Sequence, residues 1–545
     1  MDIKTMIKGA VISAVAFSGM VACTANYLEI NSNPYGVTDD EMQRDGYAVR
    51  AALVGMSNGV ISPDVNTAQF TECLLGGTQG GYFADGKDVS GWPNTISNYN
   101  PTDDWTNVFM KSSHFIPVIY SNYRMLRQVT DDPVILAVGE IIKVAAMHRI
   151  TDAYGPIPYS KIGENGEINV PYDSQEDVYK KMFEELNAAI EALTPNRTNN
   201  FSASADVVYG GNVEKWIKFA NSLKLRLAMR VVYADKELAK EMAESAVKHE
   251  VGVMTSNDDN ALFGAWGTNG NPVRFAVMYN MYSEGKHECI TSGDSHAAAD
   301  IICYMNGYND PRRAFYFTRS EWTGYDYVGL RRGIVIPAAA IVHQYCGPVI
   351  ETDDPACWMN AAEVAFLKAE AVAVFGFDMG TDARSAYEEG IRLSFEQYGA
   401  SGYASYIADN TSVPSLYTDP AGSNSYSSVI SEITIAWDEG ATPEQKQERI
   451  ITQKWIANWL LGNEAWADFR RTGYPRLIPA TEAGNKSTDR TLTTTGARRI
   501  EYPDAEAVSN AENYHAAVST LLGGSDNMST RLWFDCKPDN PTYSR

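Results

Sequence analysis

The chain is short of positive charge. Against 68 acidic residues it has 45 lysines and arginines, a formal net charge of −23 at pH 7. Nucleic acid and anionic lipid both need a cationic footprint, so this balance argues against either as partner. Cysteine is scarce as well, with 7 in 545 residues. After Cys23 come Cys73, Cys289, Cys303, Cys346, Cys357 and Cys536, and no two form a C-x-x-C pair. That spacing excludes a zinc knuckle or thioredoxin motif, and leaves disulfides of an exported protein or buried free thiols. No stretch after Met20 approaches the roughly 20 apolar residues that cross a bilayer as a helix. Catalytic signatures are missing too. There is no H-E-x-x-H helix, G-x-S-x-G elbow, Walker A loop or G-x-G-x-x-G turn between strand and helix. No pair of carboxylates is singled out by spacing for glycoside cleavage, and His287-Glu288-Cys289 has no orienting partner for a nucleophile. The expectation is a protein that is not an enzyme and carries no cofactor or metal.

What is present starts with a leader. Lys4 and Lys8 precede a small and aliphatic run at 9–20, which ends in Met20-Val21-Ala22-Cys23. This order reads as a lipoprotein signal peptide over 1–22, cleaved ahead of Cys23, whose thiol takes the lipid. Residues 23–33 form a polar tether. Residues 34–545 are read as one unit, and 44% hydrophobic residues over the whole chain are ample for a large core.

Helical spacing dominates that unit. Leu136, Val138, Ile141, Ile142, Ala145 and Ala146 repeat at helical intervals and stop before the rigid turn Tyr154-Gly155-Pro156-Ile157-Pro158. Ser174 with Asp177 makes a capping box, followed by a stripe from Val178 to Leu193. Trp216, Phe219, Ala220, Leu223 and Leu227 share a face within 213–233, and an Ala-rich stretch follows at 236–249. The last pair is 361–375 and 382–398. The fold class expected is mainly α: tetratricopeptide-like helix pairs at about 39–127, 134–193, 213–249 and 359–398, with a C-terminal helix at 444–462. Loop-rich insertions interrupt it at 76–100, 251–355 and 403–431, and the run Gly333-Ile334-Val335-Ile336 reads as a short strand. Loops on a rigid scaffold are where binding sites lie, although passive cover remains the other reading.

Several segments then resemble the SusD/RagB family of outer-membrane lipoproteins. They are LEINSNPY at 28–35, RITDAYGPIPY at 149–159, KWIKFANSLKLR at 215–226 and EVAFLKAEA at 363–371. QKW at 453–455, NEAWADFRRTGYP at 463–475, RRIEYP at 498–503 and TRLWFD at 530–535 continue the series in order. Thr24-Ala25-Asn26 is neutral where surface-exported members often carry acidic residues. The resemblance implies a helical scaffold with an irregular ligand-binding half, lipid-anchored at the outer membrane and facing the exterior. It implies a TonB-dependent, SusC-like barrel as partner and a glycan, or a peptide in the RagB manner, as ligand. A glycoside hydrolase and a structural or adhesin lipoprotein stay as more distant alternatives.

Most of the matched residues read as scaffold. Trp455, Trp459 and Trp466 sit at near-helical spacing and read as core. Arg470 and Arg471 are placed to ion-pair with Asp468. Arg498 and Arg499 are placed to satisfy carbonyls or Glu464 and Asp468, and Asp152 with Tyr154 to lock the Gly155-Pro156 turn. The acidic run at 257–260 reads as a turn or helix cap, since it lacks the spacing of a calcium loop. Sugar binding needs flat rings to stack on pyranose faces and planar polar groups at the hydroxyl edges. The insertions supply both. Trp266, Tyr279, Tyr282 and Trp322 are the favoured platform, with Trp92, Tyr325 and Tyr327 as further candidates; packing inside the insertions, or contact with the transporter, are the competing roles.

Overall fold

Pro133 opens the longest helix because Asp132 accepts the Val134 N–H and a proline at the first position loses nothing there. In this computed structural model the described residues are 46–86, 95–107, 109–110, 115–163, 169–266, 270–274, 295–538 and 540. Contacts divide the chain at residue 48, and the unit from Val49 onward carries the fold. The leader, Cys23 and the tether expected from the sequence lie outside the described residues.

The main helices are α1 (Tyr47–Asn58), α2 (Ile116–Val129), α3 (Pro133–Tyr154), α4 (Gln175–Leu193), α5 (Val213–Val231) and α6 (Lys236–Lys248). They continue with α7 (Ala299–Gly307), α8 (Ala361–Glu370), α9 (Ala383–Gln397), α10 (Pro443–Ala457) and α11 (Gly462–Thr472). Caps begin them where polar side chains permit. Ser174 takes the Asp177 N–H at 3.1 Å, Asn212 that of Lys215 at 3.0 Å, and Asp382 that of Ser385 at 2.9 Å. α3 runs to Tyr154 and stops at Gly155, whose φ of +90° a side chain would resist. α8 passes into a π-helical turn at Ala371–Phe375 before Gly376.

α3 packs on α4, α5 on α6 and α8 on α9, and the pairs join because α5 also touches α4 and α8. α3, α5, α8, α10 and α11 are buried over most of their length. Their partners α4, α6 and α9 keep a wet face laced by pairs such as Glu176–Lys180 and Arg392–Glu396. The fold is therefore mainly α, with inner helices sheathed by outer ones. α11 lies against the π-helix Gln69–Gly77 so closely that backbones meet. A Cβ on Gly462 would stand 2.4 Å from the Gly76 carbonyl carbon.

The inner helices carry charge that the outer face does not need. Arg226 of α5 grips Glu363 of α8 at 2.7 and 2.8 Å, and Arg230 reaches Asp152 of α3 and Glu464 of α11. Lys454 bonds Asp468 at 2.6 Å, and Arg471 joins Asp468 to Glu370. Buried charges persist only when paired in this way. Trp455, Trp459 and Trp466 are in the core as their spacing predicts.

Several expectations need correction. Residues 333–336 are not a strand: Gly333 has φ +59°, and its carbonyl takes the Thr481 N–H while Ile334 O takes the Asn98 amide. The strands among the described residues are β1 (Phe83–Asp85), β2 (Ala261–Phe263), β3 (Ser295–Ala297) and β4 (Ala356–Met359), pairing β1–β3 and β2–β4 antiparallel. The helix expected at 444–462 ends at Ala457, and after Leu460, at φ +76°, the separate helix α11 begins at Gly462. Asp152 faces Arg230 and the Tyr179 hydroxyl rather than its neighbouring turn, which Thr151 holds by donating to Gly155 O at 2.6 Å. Arg470 pairs with no carboxylate among the described residues: it donates to the carbonyls of Asp152, Trp466 and Arg498 and lies 3.6 Å over the Trp466 ring. Arg498 and Arg499 do satisfy carbonyls, but their acids are Asp535 and Asp526. Cys303 and Cys346 are buried free thiols, Cys357 and Cys536 are free as well, and Cys73 is buried.

Candidate functional site

The β1–β3 ladder gathers the irregular segments. Its last pair is Asp85 opposite Ser295. Trp92, Tyr279 and Tyr282 lie outside the described residues. Ala297 donates to Cys346 O at 2.9 Å, Cys346 to Val328 O at 3.0 Å, and Leu330 to Ala297 O at 2.9 Å. These bonds fix the segment 318–348 beside the ladder. A serine–carboxylate bond from Ser97 to Asp85 ties the segment 95–100 to the same ladder.

Trp322 stands on that segment. Its turn is closed by Tyr325 N to Trp322 O at 3.1 Å, Ser320 N to Asp326 O at 3.0 Å, and the Arg319–Asp326 ion pair at 2.9 Å. The half-buried Trp322 ring meets Tyr345 edge-on, with centroids 5.7 Å apart, and its indole N–H has no acceptor among the described residues. The Tyr345 hydroxyl donates to Asp419, which itself collects the N–H groups of Ala421, Ser423 and Asn424 at 3.1, 3.1 and 2.8 Å. Burial, then Asp419, pushes the Tyr345 hydroxyl far above the usual phenol range, so it stays a donor. Tyr417 donates to Gly329 O at 3.0 Å, and Tyr426 pairs its backbone with Tyr417. Arg331 lies 5.3 Å from the Tyr426 ring and donates to the carbonyls of Asn424, Ser425 and Pro479. The insertions 251–355 and 403–431 thus form one wall of alternating rings and polar groups.

The other candidates fall elsewhere. Tyr325 is half-buried in the Trp322 turn. Tyr327 has its ring engaged by cations, Arg313 at 4.5 Å and Arg319 at 5.8 Å. Trp266 belongs to the β2–β4 sheet. It packs edge-on to Phe263 at 5.1 Å, and its N–H shares the Asp354 carbonyl with Asn271, each at 2.8 Å. Sequence reasoning missed Tyr345, Asp419, Tyr417 and Tyr426. The available signal was the Ser-, Tyr- and Pro-rich composition of 403–431, which marks an insertion without saying which loop it meets. Tyr345, Tyr417 and Asp419 are buried and bonded to one another or to backbone, so the half-buried Trp322 ring and its N–H are what this wall offers a ligand. Among the described residues no group of three or more His, Cys, Asp or Glu side chains could hold a metal, and no helix is long and apolar enough to cross a membrane.

The helical scaffold thus carries an aromatic, polar wall beside one small ladder. The chain belongs to the SusD-like family of SusD and RagB outer-membrane lipoproteins, whose family model matches residues 29–535. A SusD homologue from Bacteroides uniformis is 56% identical, with a TM-score of 0.86 over 90% of this chain and 100% of its own. A SusD homologue from Bacteroides thetaiotaomicron is 39% identical, with a TM-score of 0.81 over 90% and 99%. A chitin-binding SusD homologue from Flavobacterium johnsoniae is 35% identical, with a TM-score of 0.80 over 90% and 99%. No curated protein sequence matches the chain.

Proposed function

We propose that this protein is a lipid-anchored, outward-facing outer-membrane receptor that binds an oligo- or polysaccharide and passes it unaltered to a TonB-dependent barrel. The signal peptide at 1–22, the acylated Cys23 and the tether at 23–33 provide the anchor. Residues 34–545 provide the receptor. The observation that carries the reading is the wall from Trp322 through Tyr345 to Asp419, presented on the scaffold of a family that includes a chitin-binding relative. The Trp322 ring stacks on the apolar face of a pyranose and its N–H donates to a hydroxyl, while the Tyr345–Asp419 bond holds the ring's support in place. Trp92, Tyr279 and Tyr282 are proposed as further members of the platform, whereas Trp266 and Tyr327 serve as packing. Among its described residues the wall has no opposed pair of carboxylates of the kind that cleaves a glycosidic bond.

Affinity electrophoresis against a polysaccharide panel that includes soluble chitin oligomers, with a peptide panel alongside, tests the ligand. Retardation by a glycan without release of reducing sugar is expected, and Trp322→Ala abolishes it. Retardation that survives Trp322→Ala together with Tyr345→Ala removes the wall from the reading, and release of sugar replaces a receptor with an enzyme. Gentle detergent extraction and pull-down of the tagged chain tests the partner; an eluate without a TonB-dependent barrel overturns that part.

A further inference from the structure

α6 ends on a histidine whose hydrogen bonds admit one protonation state. His249 follows Lys248, the last residue of α6, and is half-buried. The Val251 N–H donates to its Nδ1 at 3.2 Å. A backbone N–H can only donate, so Nδ1 is the bare nitrogen of the ring. A neutral imidazole then carries its proton on Nε2, which lies 3.1 Å from the Thr194 hydroxyl. That hydroxyl gives its own proton to Ile190 O at 2.6 Å and so accepts from Nε2. Donor meets acceptor at each contact only when the ring is neutral.

A second proton has only Nδ1 to go to. It would set donor against donor at Val251 and add a cation to the surroundings of Lys224. Lys224, on α5, is 4% exposed and pairs with no carboxylate among the described residues; its ammonium donates to Asn187 Oδ1 of α4 at 3.0 Å. The remaining charges near the ring offset one another. Arg197 opposes a proton and Glu250 favours one, and the two pair at 2.8 Å on the surface. Lys248 is tied to Glu244 and Asp378. Burial and then Lys224 therefore hold the His249 pKa below its usual value. What the ring closes is the first turn of a strap that carries the chain from α6 to β2. Farther along, Gly252 O accepts from the Asn221 side chain at 3.0 Å and Met254 N donates to Ser222 Oγ at 2.9 Å, both on α5. Val253 and Met254 are buried and Val251 is half-buried, so the first turn can open while the far end of the strap stays seated.

We infer that His249 is an acid-sensitive latch: a proton on Nδ1 releases the Val251 N–H and opens the turn at 249–252, where the scaffold hands over to the large insertion. The opened turn binds the proton that the closed one excludes. Closure is therefore complete above about 6.5, the ordinary histidine value, and is lost progressively below it. The latch works whether or not the wall binds a glycan.

Hydrogen–deuterium exchange of the full chain tests it, read by mass spectrometry on peptides covering 249–254 between pH 7 and pH 5, with rates corrected for the effect of pH on intrinsic exchange. Protection of this segment should fall about fivefold across that range, the loss of one net hydrogen bond, while peptides from α3 keep theirs. His249→Asn places an amide oxygen near the position of Nδ1 and takes no proton, so its protection should stay level. Lys224→Met eases a protonated ring inside the fold, so the fall should shrink. A native segment equally protected at both ends of the range overturns the inference, as does a fall that His249→Asn reproduces in full. If His249→Asn does not fold, Lys224→Met decides, and a fall as large as the native one overturns the inference.

Discussion

Replacing Glu464 by Gln keeps shape and removes one buried charge from the centre of the scaffold. Glu464 is 4% exposed and sits where three helices meet. Its carboxylate faces His148 Nε2 at 3.0 Å and Arg226 Nε at 3.6 Å, and forms a closer pair with Arg230. Burial by itself would raise its pKa, but Arg226, Arg230 and His148 overcome that and hold it well below the usual carboxylate value. Removing one member of such a pair costs about 3–5 kcal/mol, because the partners stay buried with less compensation. The lower end applies, since Asp152 still pairs with Arg230 and Glu363 with Arg226. Unfolding entropy of about 2.1 cal/mol/K per residue over roughly 500 residues is about 1 kcal/mol/K, so the expected fall in Tm is about 3 °C. Differential scanning calorimetry at pH 7 reads it, with Val508→Ala, at an 85% exposed position, as the control. A Glu464→Gln variant that melts within about 1 °C of that control refutes the claim that the ion network stabilises the scaffold.

Acid should unfold the protein through the same network. Asp468 is held at about 2, burial being outweighed by Lys454 and Arg471. Carboxylates depressed in the fold give stability that is present above their unfolded value near about 4 and lost as pH falls toward 2. Urea midpoints at pH 7, 5 and 3 should drop mainly in the last interval; a flat series contradicts this. Lys224 works in the other sense. Burial lowers it to about 8, and its amine donates to the Asn187 amide oxygen at 3.0 Å. At pH 7 its charge is a cost, and stability should rise as pH passes through 8 toward the unfolded value near about 10.4. Lys224→Met should raise stability at pH 7 by about 1–2 kcal/mol, and a lower melting temperature would show the amine to be needed. Gly462→Ala should cost about 3 kcal/mol or more, because its new methyl meets backbone and not a flexible side chain; soluble protein with an unchanged melt would contradict the close approach of α11 to the π-helix.

Much of the scaffold could be read from local pattern. The caps at Ser174 and Asp382, the turn at Gly155 and the stripe from Val178 to Leu193 are local events, and side chains a few residues apart decide them. The buried ion network was legible only as residue types. Arg471 beside Asp468 is an i, i+3 pair and so visible, but Glu370 lies 101 positions from Arg471 and Asp152 lies 78 from Arg230. Nothing local says which acid meets which base, so the true partners of Arg498, Arg499 and Asp152 could not be read from their neighbours in the chain. The site was less legible still. Trp322 carries the signal of an aromatic in a loop, and so do Trp266 and Tyr327. Their difference lies in what covers the ring: Phe263 and an Asp354 carbonyl for one, two guanidinium groups for the other.

By itself the sequence determined a helical class and, through ordered segments across the chain, the family. Periodicity, capping and turn chemistry are short-range, so they survive in a linear string. Only the tertiary structure decided that Tyr345 and Asp419 form a wall with Trp322, that β1 pairs with β3, and that Trp358 is buried with an N–H unanswered among the described residues. Each of those depends on contacts between positions tens to hundreds of residues apart, and burial, which sets their energies, does not exist until the chain has closed on itself.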